Sequence, residues 1–246
     1  MLVKEYNKES GTQFSIECEK LLYKAKSKFQ KIEVYKSKKY GNILMLDDCF
    51  MLTEKGNDQY HNKCISLIGK KSRSLDVLII GGGDFGLIKG LFEKLNVNSI
   101  NLVEIDNQVI NISREFFPSF FKLNRKSKNK VNILIEDGYE WIKNNNTLRF
   151  DVIIIDCTDP NLIAKKLYSE KFYKNIFNNL KSNGQLIQQS GSPYLDEKKI
   201  IIPTKKKLGK IGFKDISLHE FSMPIYPLGL WSFIQCKRRN KLSRLS

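Results

Sequence analysis

A strand that ends in a glycine triplet and a carboxylate is the feature that most constrains the fold of this chain. Residues 78–86 read LIIGGGDFG, and a helical pattern of apolar residues resumes at Leu87. A second apolar strand, residues 100–103, follows and ends in Glu104. At this distance an acid can accept hydrogen bonds from the two ribose hydroxyls of a nucleotide. A plain tight turn explains the glycines but not Glu104, so the pattern predicts a nucleotide site.

The pattern of strands predicts two domains. Alternating residues at 29–35, 40–46 and 50–53 predict an antiparallel meander within an N-terminal β domain, residues 1–70. From residue 71 to 246, apolar strands separated by helical stretches predict an α/β domain with a mostly parallel sheet. Its strands are expected at residues 76–80, 100–104, 131–136, 150–156, 184–190, 211–221 and 230–236.

The net charge of +16 over 246 residues raises the question of nucleic-acid binding. Lysines and arginines are, however, spread along the chain, and aromatic residues are not interleaved with them as a base-stacking surface requires. We therefore expect no nucleic-acid partner, and any binding to DNA or RNA should be weak and abolished by moderate salt.

Hydropathy and cysteine usage indicate the compartment. No apolar run approaches the ~18 residues that cross a bilayer, so no membrane association is expected. The five cysteines form no CxxC pair, and His61 and His219 are the only imidazoles. A reducing cytoplasm and the absence of a metal site are the expected consequences.

Acidic residues follow four successive predicted strands. These residues are Asp84, Glu104, Asp137 and Asp156, the last with Asp159 close behind. Each acid taken singly has an alternative interpretation as a helix cap or turn residue. The carboxyl ends of parallel strands share one edge of a sheet, however, so together the acids predict a negatively charged cavity. Such a cavity favours a ligand with ammonium or sulfonium groups.

Seven stretches in order resemble the polyamine aminopropyltransferases, the spermidine synthases. They are residues 40–47 (YGNILMLD), 59–61 (QYH), 81–84 (GGGD), 103–106 (VEID), 136–138 (EDG), 156–160 (DCTDP) and 224–227 (PIYP). The resemblance implies an N-terminal β domain, a methyltransferase-like Rossmann domain, and a homodimer or homotetramer. It also implies transfer of the aminopropyl group of decarboxylated S-adenosylmethionine, a co-substrate, to putrescine, with no further cofactor. The products are spermidine and methylthioadenosine.

The resemblance also implies roles for the matching residues. Asp156 is the general base. The nucleotide-side residues are Gln30, Gly81, Gly83, Asp84, Glu104, Asp137 and Gly138. Of these, Glu104 would hold the ribose hydroxyls and Asp84 would bind the aminopropyl ammonium. The residues along the path of the acceptor amine are Tyr60, His61, Asp84, Asp156, Asp159 and Tyr226.

The chemistry of the reaction is consistent with these residue types. A sulfonium activates its neighbouring methylene for in-line attack, so the enzyme must mainly position the reactants and supply a neutral amine. A primary amine with a pKa of about 10.4 is neutral at pH 7 in only about one molecule in 2500, a penalty of about 4.6 kcal/mol. Asp156 is therefore expected to orient the amine and to accept its proton as the C–N bond forms. Cys157 is expected to be structural, because acidic neighbours raise the pKa of a thiol.

The chain departs from the family pattern at several positions. Phe85 stands where the family has glycine, and Asn62 and Gly191 replace acidic residues common in relatives. We expect Phe85 to pack inward, and the alternative is that its ring leans over the nucleotide. These departures favour one alternative function, that of a nucleotide-binding relative that has lost catalysis. A second alternative, an S-adenosylmethionine methyltransferase or an NAD-dependent enzyme, is left open by the GxGxxG spacing of Gly81, Gly83 and Gly86. The departures also leave the preferred acceptor amine open.

Overall fold

The computed structural model describes residues 1–8, 10–69, 72–160 and 164–239. The N-terminal region forms a two-stranded and a four-stranded antiparallel sheet. Their strands are β1 (Leu2–Asn7), β2 (Thr12–Glu17), β3 (Lys20–Lys26), β4 (Lys31–Ser37), β5 (Gly41–Leu46) and β6 (Cys49–Thr53). The last three were expected from the sequence. The first three were missed, because they carry many charged residues and bury little of their length.

A seven-stranded sheet forms the centre of the second region. Its strands are β7 (Leu75–Gly81), β8 (Val97–Glu104), β9 (Val131–Ile135), β10 (Phe150–Asp156), β11 (Leu180–Gln189), β12 (Lys214–Ser222) and β13 (Leu230–Lys237). Their order is β12-β13-β11-β10-β7-β8-β9. Strands β7 to β11 pair in parallel, and β13 runs antiparallel between β11 and β12. This arrangement is the mostly parallel, methyltransferase-like sheet that the resemblance implied.

Helices cover both faces of this sheet. They are α1 (Asp58–Ile68), α2 (Gly86–Lys94), α3 (Asn107–Phe116), α4 (Arg125–Lys128), α5 (Gly138–Asn144), α6 (Glu170–Asn179), α7 (Pro193–Asp196) and α8 (Ile202–Ile211). Residues of α1, α2 and α3 share one apolar core with β4, β5 and β6, so the N-terminal sheet packs on that face. Residues of α5, α6 and α8 form the core on the opposite face.

Three strand starts differ from the expectation by three residues or more, and one of them is that of β8, expected at residue 100 and observed at Val97. The strand expected at residues 211–221 begins at Lys214, because Ile211 still belongs to α8. Gly212 ends that helix with a φ of 115°, a conformation that favours glycine. The strand expected at residues 184–190 begins earlier, at Leu180, which pairs with Phe150 before a shift in register.

The topology places one crevice at the carboxyl ends of the strands. From β7 the chain proceeds to β8 and β9 on one side, and then crosses to β10 and β11 on the other. In open α/β sheets ligands bind where the strand order reverses in this way. The loop after β7, which carries Asp84, and the end of β10, which carries Asp156, therefore lie together at this crevice.

Within the described ranges, no helix has both the length and the apolar character needed to cross a membrane.

Candidate active site

The glycine loop after β7 passes very close to the end of β10. Gly81 and Gly82 have φ values of 83° and 71°. A Cβ atom on Gly81 would lie 2.1 Å from the backbone oxygen of Asp156, so only glycine fits there. The backbone N–H of Gly82 donates to the same oxygen at 2.9 Å. This close crossing brings the loop that carries Asp84 next to Asp156.

Asp84 is held at the start of α2 by two contacts. Its Oδ1 accepts a hydrogen bond from the backbone N–H of Gly86 at 2.8 Å, and its Oδ2 lies 3.2 Å from Nε2 of His61. Burial lowers the pKa of His61, but the nearby carboxylates, Asp84 foremost with Asp156 and Asp58, together raise it above its ordinary value. His61 contacts Asp84 and is not among the residues that line the cavity, so its place along the acceptor path stays a prediction.

Asp156 lies at the end of β10 and is bonded to an aromatic hydroxyl. The Tyr60 hydroxyl, from α1, donates to its Oδ1 at 2.5 Å. Burial and the nearby Asp84 charge raise the pKa of Asp156 to about 6, although the hydrogen bond from Tyr60 opposes this rise. A carboxylate with this pKa is ionised at neutral pH and is a stronger base than an ordinary aspartate.

Two further acidic residues, Asp159 and Glu5, line the same cavity as Asp156. Asp159 accepts from Nε2 of Gln189 at 3.1 Å, and Nε1 of Trp231 donates to Oε1 of the same glutamine at 3.2 Å. Burial raises the pKa of Asp159. Glu5, from β1, also lines the cavity, and burial raises its pKa to about 7 although the backbone N–H of Phe50 donates to it.

Tyr226 closes one wall of the same cavity. Its hydroxyl donates to the backbone oxygen of Met51, in β6, at 2.9 Å. Its ring lies 6.1 Å from the ring of Tyr60 and 4.7 Å from that of Trp231, measured between centroids. The N-terminal sheet and the loop before β13 thus form this part of the cavity together.

Glu104 lies at the other end of the cavity. Its side chain is buried, and its Oε1 accepts from the backbone N–H of Asp106 at 3.0 Å. Burial raises the pKa of Glu104 to about 7. Hydrogen bonds from backbone N–H groups oppose this rise, and the one from Asp106 has the largest effect. A Cβ on Gly83 would lie 3.1 Å from Oε2 of Glu104, so the glycine leaves the carboxylate accessible.

Asp137 caps a helix and also lines the cavity. Its Oδ1 accepts from the backbone N–H groups of Tyr139 and Glu140 at 2.8 and 3.4 Å, so it caps α5. It also lines the cavity with Gly138, whose missing Cβ makes room for Ile80. The contact of Asp137 with the nucleotide stays a prediction.

The structure brings nearly all the predicted site residues to one cavity. Its walls include Gln30, Tyr60, Gly81, Gly83, Asp84, Glu104, Asp137, Gly138, Asp156, Asp159 and Tyr226. Sequence reasoning missed Glu5, Met51, Lys166, Gln189 and Trp231, which also line it. Gln189 and Trp231 lie at strand ends on the same sheet edge, a signal that was available in the sequence. Glu5 offered no such signal, because β1 itself was not recognised.

The departures from the family pattern lie off this cavity or behind it. Phe85 is buried and its ring stacks on Phe121 with centroids 4.2 Å apart, which confirms inward packing. Asn62 is exposed on α1 and accepts a hydrogen bond from Lys94. Gly191 has a φ of 75°, and a Cβ there would lie 2.5 Å from Oδ2 of Asp196. None of the three places a side chain in the cavity.

Cys157 lines the cavity beside Asp156 but is unsuited to nucleophilic attack. Burial raises the pKa of its thiol, and the charges of Asp156 and Asp159 raise it further. Among the described residues, no group of three or more His, Cys, Asp or Glu side chains is arranged to hold a metal ion.

Comparison with known families decides the relationship. Residues 58–245 match the family model described as the spermine/spermidine synthase domain, and residues 1–54 match the spermidine synthase tetramerisation domain. The chain belongs to the spermidine synthase family. This family member is 35% identical to the polyamine aminopropyltransferase of Methanocaldococcus jannaschii over 97% of its own length and 80% of the relative. It is 39% identical to the enzyme of the same name from Prochlorococcus marinus, over 94% and 79% of the two chains.

Solved structures of spermidine synthases share the fold of this family member. A spermidine synthase in complex with the transition-state analogue AdoDATO superposes with a TM-score of 0.87, at 26% identity, over 97% of this chain and 80% of that one. The spermidine synthase of Thermotoga maritima superposes with a TM-score of 0.85, also at 26% identity, over 97% and 79%.

Proposed function

We propose that this chain transfers the aminopropyl group of decarboxylated S-adenosylmethionine to putrescine, forming spermidine and methylthioadenosine. The acidic cavity carries this proposal. Seven acidic residues line one cavity in a chain whose net charge is +16, and they are Glu5, Asp47, Asp84, Glu104, Asp137, Asp156 and Asp159. Burial raises the pKa of Glu5, Glu104, Asp156 and Asp159, so positive charge brought into the cavity would favour their ionised forms. Both proposed substrates are cationic and supply that charge.

The two ends of the cavity suit the two substrates. Glu104 and Gln30 line the nucleotide end, where their oxygens can accept from ribose hydroxyls. Asp84 lies next to it and takes the aminopropyl ammonium. Asp159 and Glu5 lie beyond Asp156, so they suit the distal ammonium of the acceptor diamine.

The reaction needs one proton to leave the attacking nitrogen. As the amine nitrogen forms its bond to the methylene, the C–S bond breaks and its electron pair stays on sulfur, giving a neutral thioether. Asp156 orients the amine and takes its proton. The pKa of an amine is about 10.4, and that of an ordinary aspartate is about 3.9. The pKa of Asp156, about 6, lies closer to that of the amine, so proton transfer from the amine to Asp156 is less unfavourable.

The assembly and the compartment are part of the same proposal. Residues 1–54 match a tetramerisation domain, and large apolar side chains of this region are exposed, including Leu2 and Tyr6. Both observations support a homodimer or a homotetramer. A cytoplasmic location is supported by the five cysteines, all of which are free.

The decisive experiment is a direct assay of the purified protein. Incubation with decarboxylated S-adenosylmethionine and a panel of putrescine, cadaverine and spermidine should release methylthioadenosine, fastest with putrescine. Release with a longer amine instead would change the acceptor but keep the reaction. If no amine yields methylthioadenosine while the nucleotide still binds, the function as a non-catalytic nucleotide-binding relative is favoured.

Glu104→Gln is expected to weaken methylthioadenosine binding by about 1.5 to 3 kcal/mol, because charge-assisted hydrogen bonds to the ribose become neutral ones. The pKa of about 7 adds a pH dependence. The carboxylate is the binding form, so affinity should fall by about tenfold from pH 8 to pH 6 as Glu104 takes up a proton. Calorimetry at both pH values tests this, and the variant should lose the slope. Equal affinity of variant and wild type would rule out the ribose role.

A further inference from the structure

Asp106 is a buried carboxylate two residues beyond Glu104, and its side chain is only 3% exposed. Its Oδ1 accepts from the backbone N–H of Gln108 at 3.0 Å and so caps α3. Its own backbone N–H donates to Oε1 of Glu104 at 3.0 Å. The same residue therefore begins a helix and holds one oxygen of the nucleotide-end acid.

The other oxygen of Asp106 reaches the N-terminal sheet. Its Oδ2 accepts from Oγ of Ser27 at 2.6 Å and from Nε2 of Gln30 at 3.0 Å. Both residues belong to the turn between β3 and β4. Oγ of Ser27 also accepts the backbone N–H groups of Phe29 and Gln30, at 3.0 and 3.1 Å, which fixes the turn itself. Asp106 thus connects two parts of the site, because its backbone N–H bonds to Glu104 and its carboxylate bonds to the turn that carries Gln30.

We propose that Asp106 is a positioning residue for the nucleotide, which sets both Glu104 and the orientation of the Gln30 carboxamide. A carboxamide has one donor end and one acceptor end. Because Nε2 of Gln30 is bonded to Asp106, the residue can offer Oε1 to the cavity that it lines. The nucleotide end then presents oxygen acceptors from Gln30 and Glu104 together, a set matched to the two hydroxyl donors of a ribose. This inference rests on the proposed function.

The Asp106→Asn variant separates positioning from helix capping. Asparagine has nearly the same size and caps helices as well as aspartate, so α3 should be retained. Its amide nitrogen, however, would face the two donors from Ser27 and Gln30, and Gln30 would have to turn its carboxamide over. We expect the Kd for methylthioadenosine to rise about 10- to 30-fold, in the range of one lost charge-assisted contact. The KM for putrescine should stay within about twofold, since Asp106 does not contact the acceptor path.

A reversed pair provides the stronger test. Gln30→Glu alone places a second carboxylate against Asp106 and should weaken nucleotide binding about tenfold. In the double variant Asp106→Asn with Gln30→Glu, the asparagine amide can donate to Glu at position 30, and an oxygen again faces the cavity. Its affinity should return to within about threefold of wild type, a coupling that independent sites do not show.

Asp215→Asn is a matched control, because Asp215 is an exposed aspartate on β12 that pairs with Arg239 at 2.5 Å. It should leave methylthioadenosine affinity unchanged. Calorimetry and melting temperature are measured for all variants. Wild-type affinity in Asp106→Asn, or losses that simply multiply in the double variant, would overturn the positioning role alone. A wild-type protein that neither binds methylthioadenosine nor releases it from decarboxylated S-adenosylmethionine would overturn the proposed function instead.

Discussion

Asp156→Asn is expected to lower kcat by roughly 10² to 10⁴, the range typical of removing a general base. Asparagine keeps the size of the side chain and can still accept from the Tyr60 hydroxyl, which donates to Oδ1 of Asp156 at 2.5 Å. It cannot take the proton of the attacking amine. Methylthioadenosine affinity should change little, because the nucleotide end is formed by Glu104 and Gln30.

The pH profile gives an independent measure of the same role. The base acts when deprotonated, so in the wild type kcat should fall as pH falls through the pKa of Asp156, which is about 6. Bound ammonium groups favour the carboxylate and move this limb to lower pH. In Asp156→Asn this limb should disappear. Near-normal turnover with an unchanged circular dichroism spectrum would remove Asp156 from the mechanism.

Tyr60→Phe is the matched control for this experiment. The Tyr60 hydroxyl lowers the pKa of Asp156 through its hydrogen bond. In Tyr60→Phe the pKa of Asp156 should rise, so the acid limb of the kcat profile should move to higher pH. The limb should not disappear, because Asp156 is still present as the base. A Tyr60→Phe variant with the wild-type profile would mean that the hydroxyl does not tune Asp156. The role of Asp156 as the base would then be decided by the Asp156→Asn variant alone.

Phe85→Gly is expected to lower the free energy of unfolding by about 2 to 4 kcal/mol. The ring is 5% exposed and stacks on Phe121 at 4.2 Å, and the guanidinium of Arg114 lies 5.3 Å from the Phe121 ring centroid. Removing a buried phenylalanine typically costs about 3 to 5 kcal/mol. Phe85 has a φ of 67°, however, and glycine relieves about 1 kcal/mol of that strain.

Phe85→Ala separates the two contributions. Alanine loses the same ring but keeps a Cβ at positive φ, so it should be less stable than the glycine variant by about 1 kcal/mol. Denaturant unfolding of both variants measures this difference. Methylthioadenosine affinity should be nearly unchanged in both, because the ring packs on Phe121 instead of the cavity. Wild-type stability in Phe85→Gly would mean that the stacked ring contributes nothing to the fold.

Local sequence patterns predicted the second region well, since its information is short-range. The strand that becomes β10 reads FDVIIID, and all but its last residue are buried. Its central residues, Val152 to Ile155, are apolar without interruption, which is typical of a strand buried on both faces and is readable without the structure. Since parallel strands share one carboxyl edge, the acids at their ends had to meet there, and Asp84, Glu104 and Asp156 do.

The tertiary structure alone decided the environment of those acids. Strand β1 brings Glu5 into the cavity, and His61 lies next to Asp84, at 3.2 Å, instead of on the cavity wall. The link from Asp106 to Gln30 spans 76 residues of sequence. Burial, close approach of like charges and hydrogen bonds between distant residues set the pKa values and orientations of a site. These are properties of which surfaces meet, so residue types and spacing predicted the acids themselves but not their contacts.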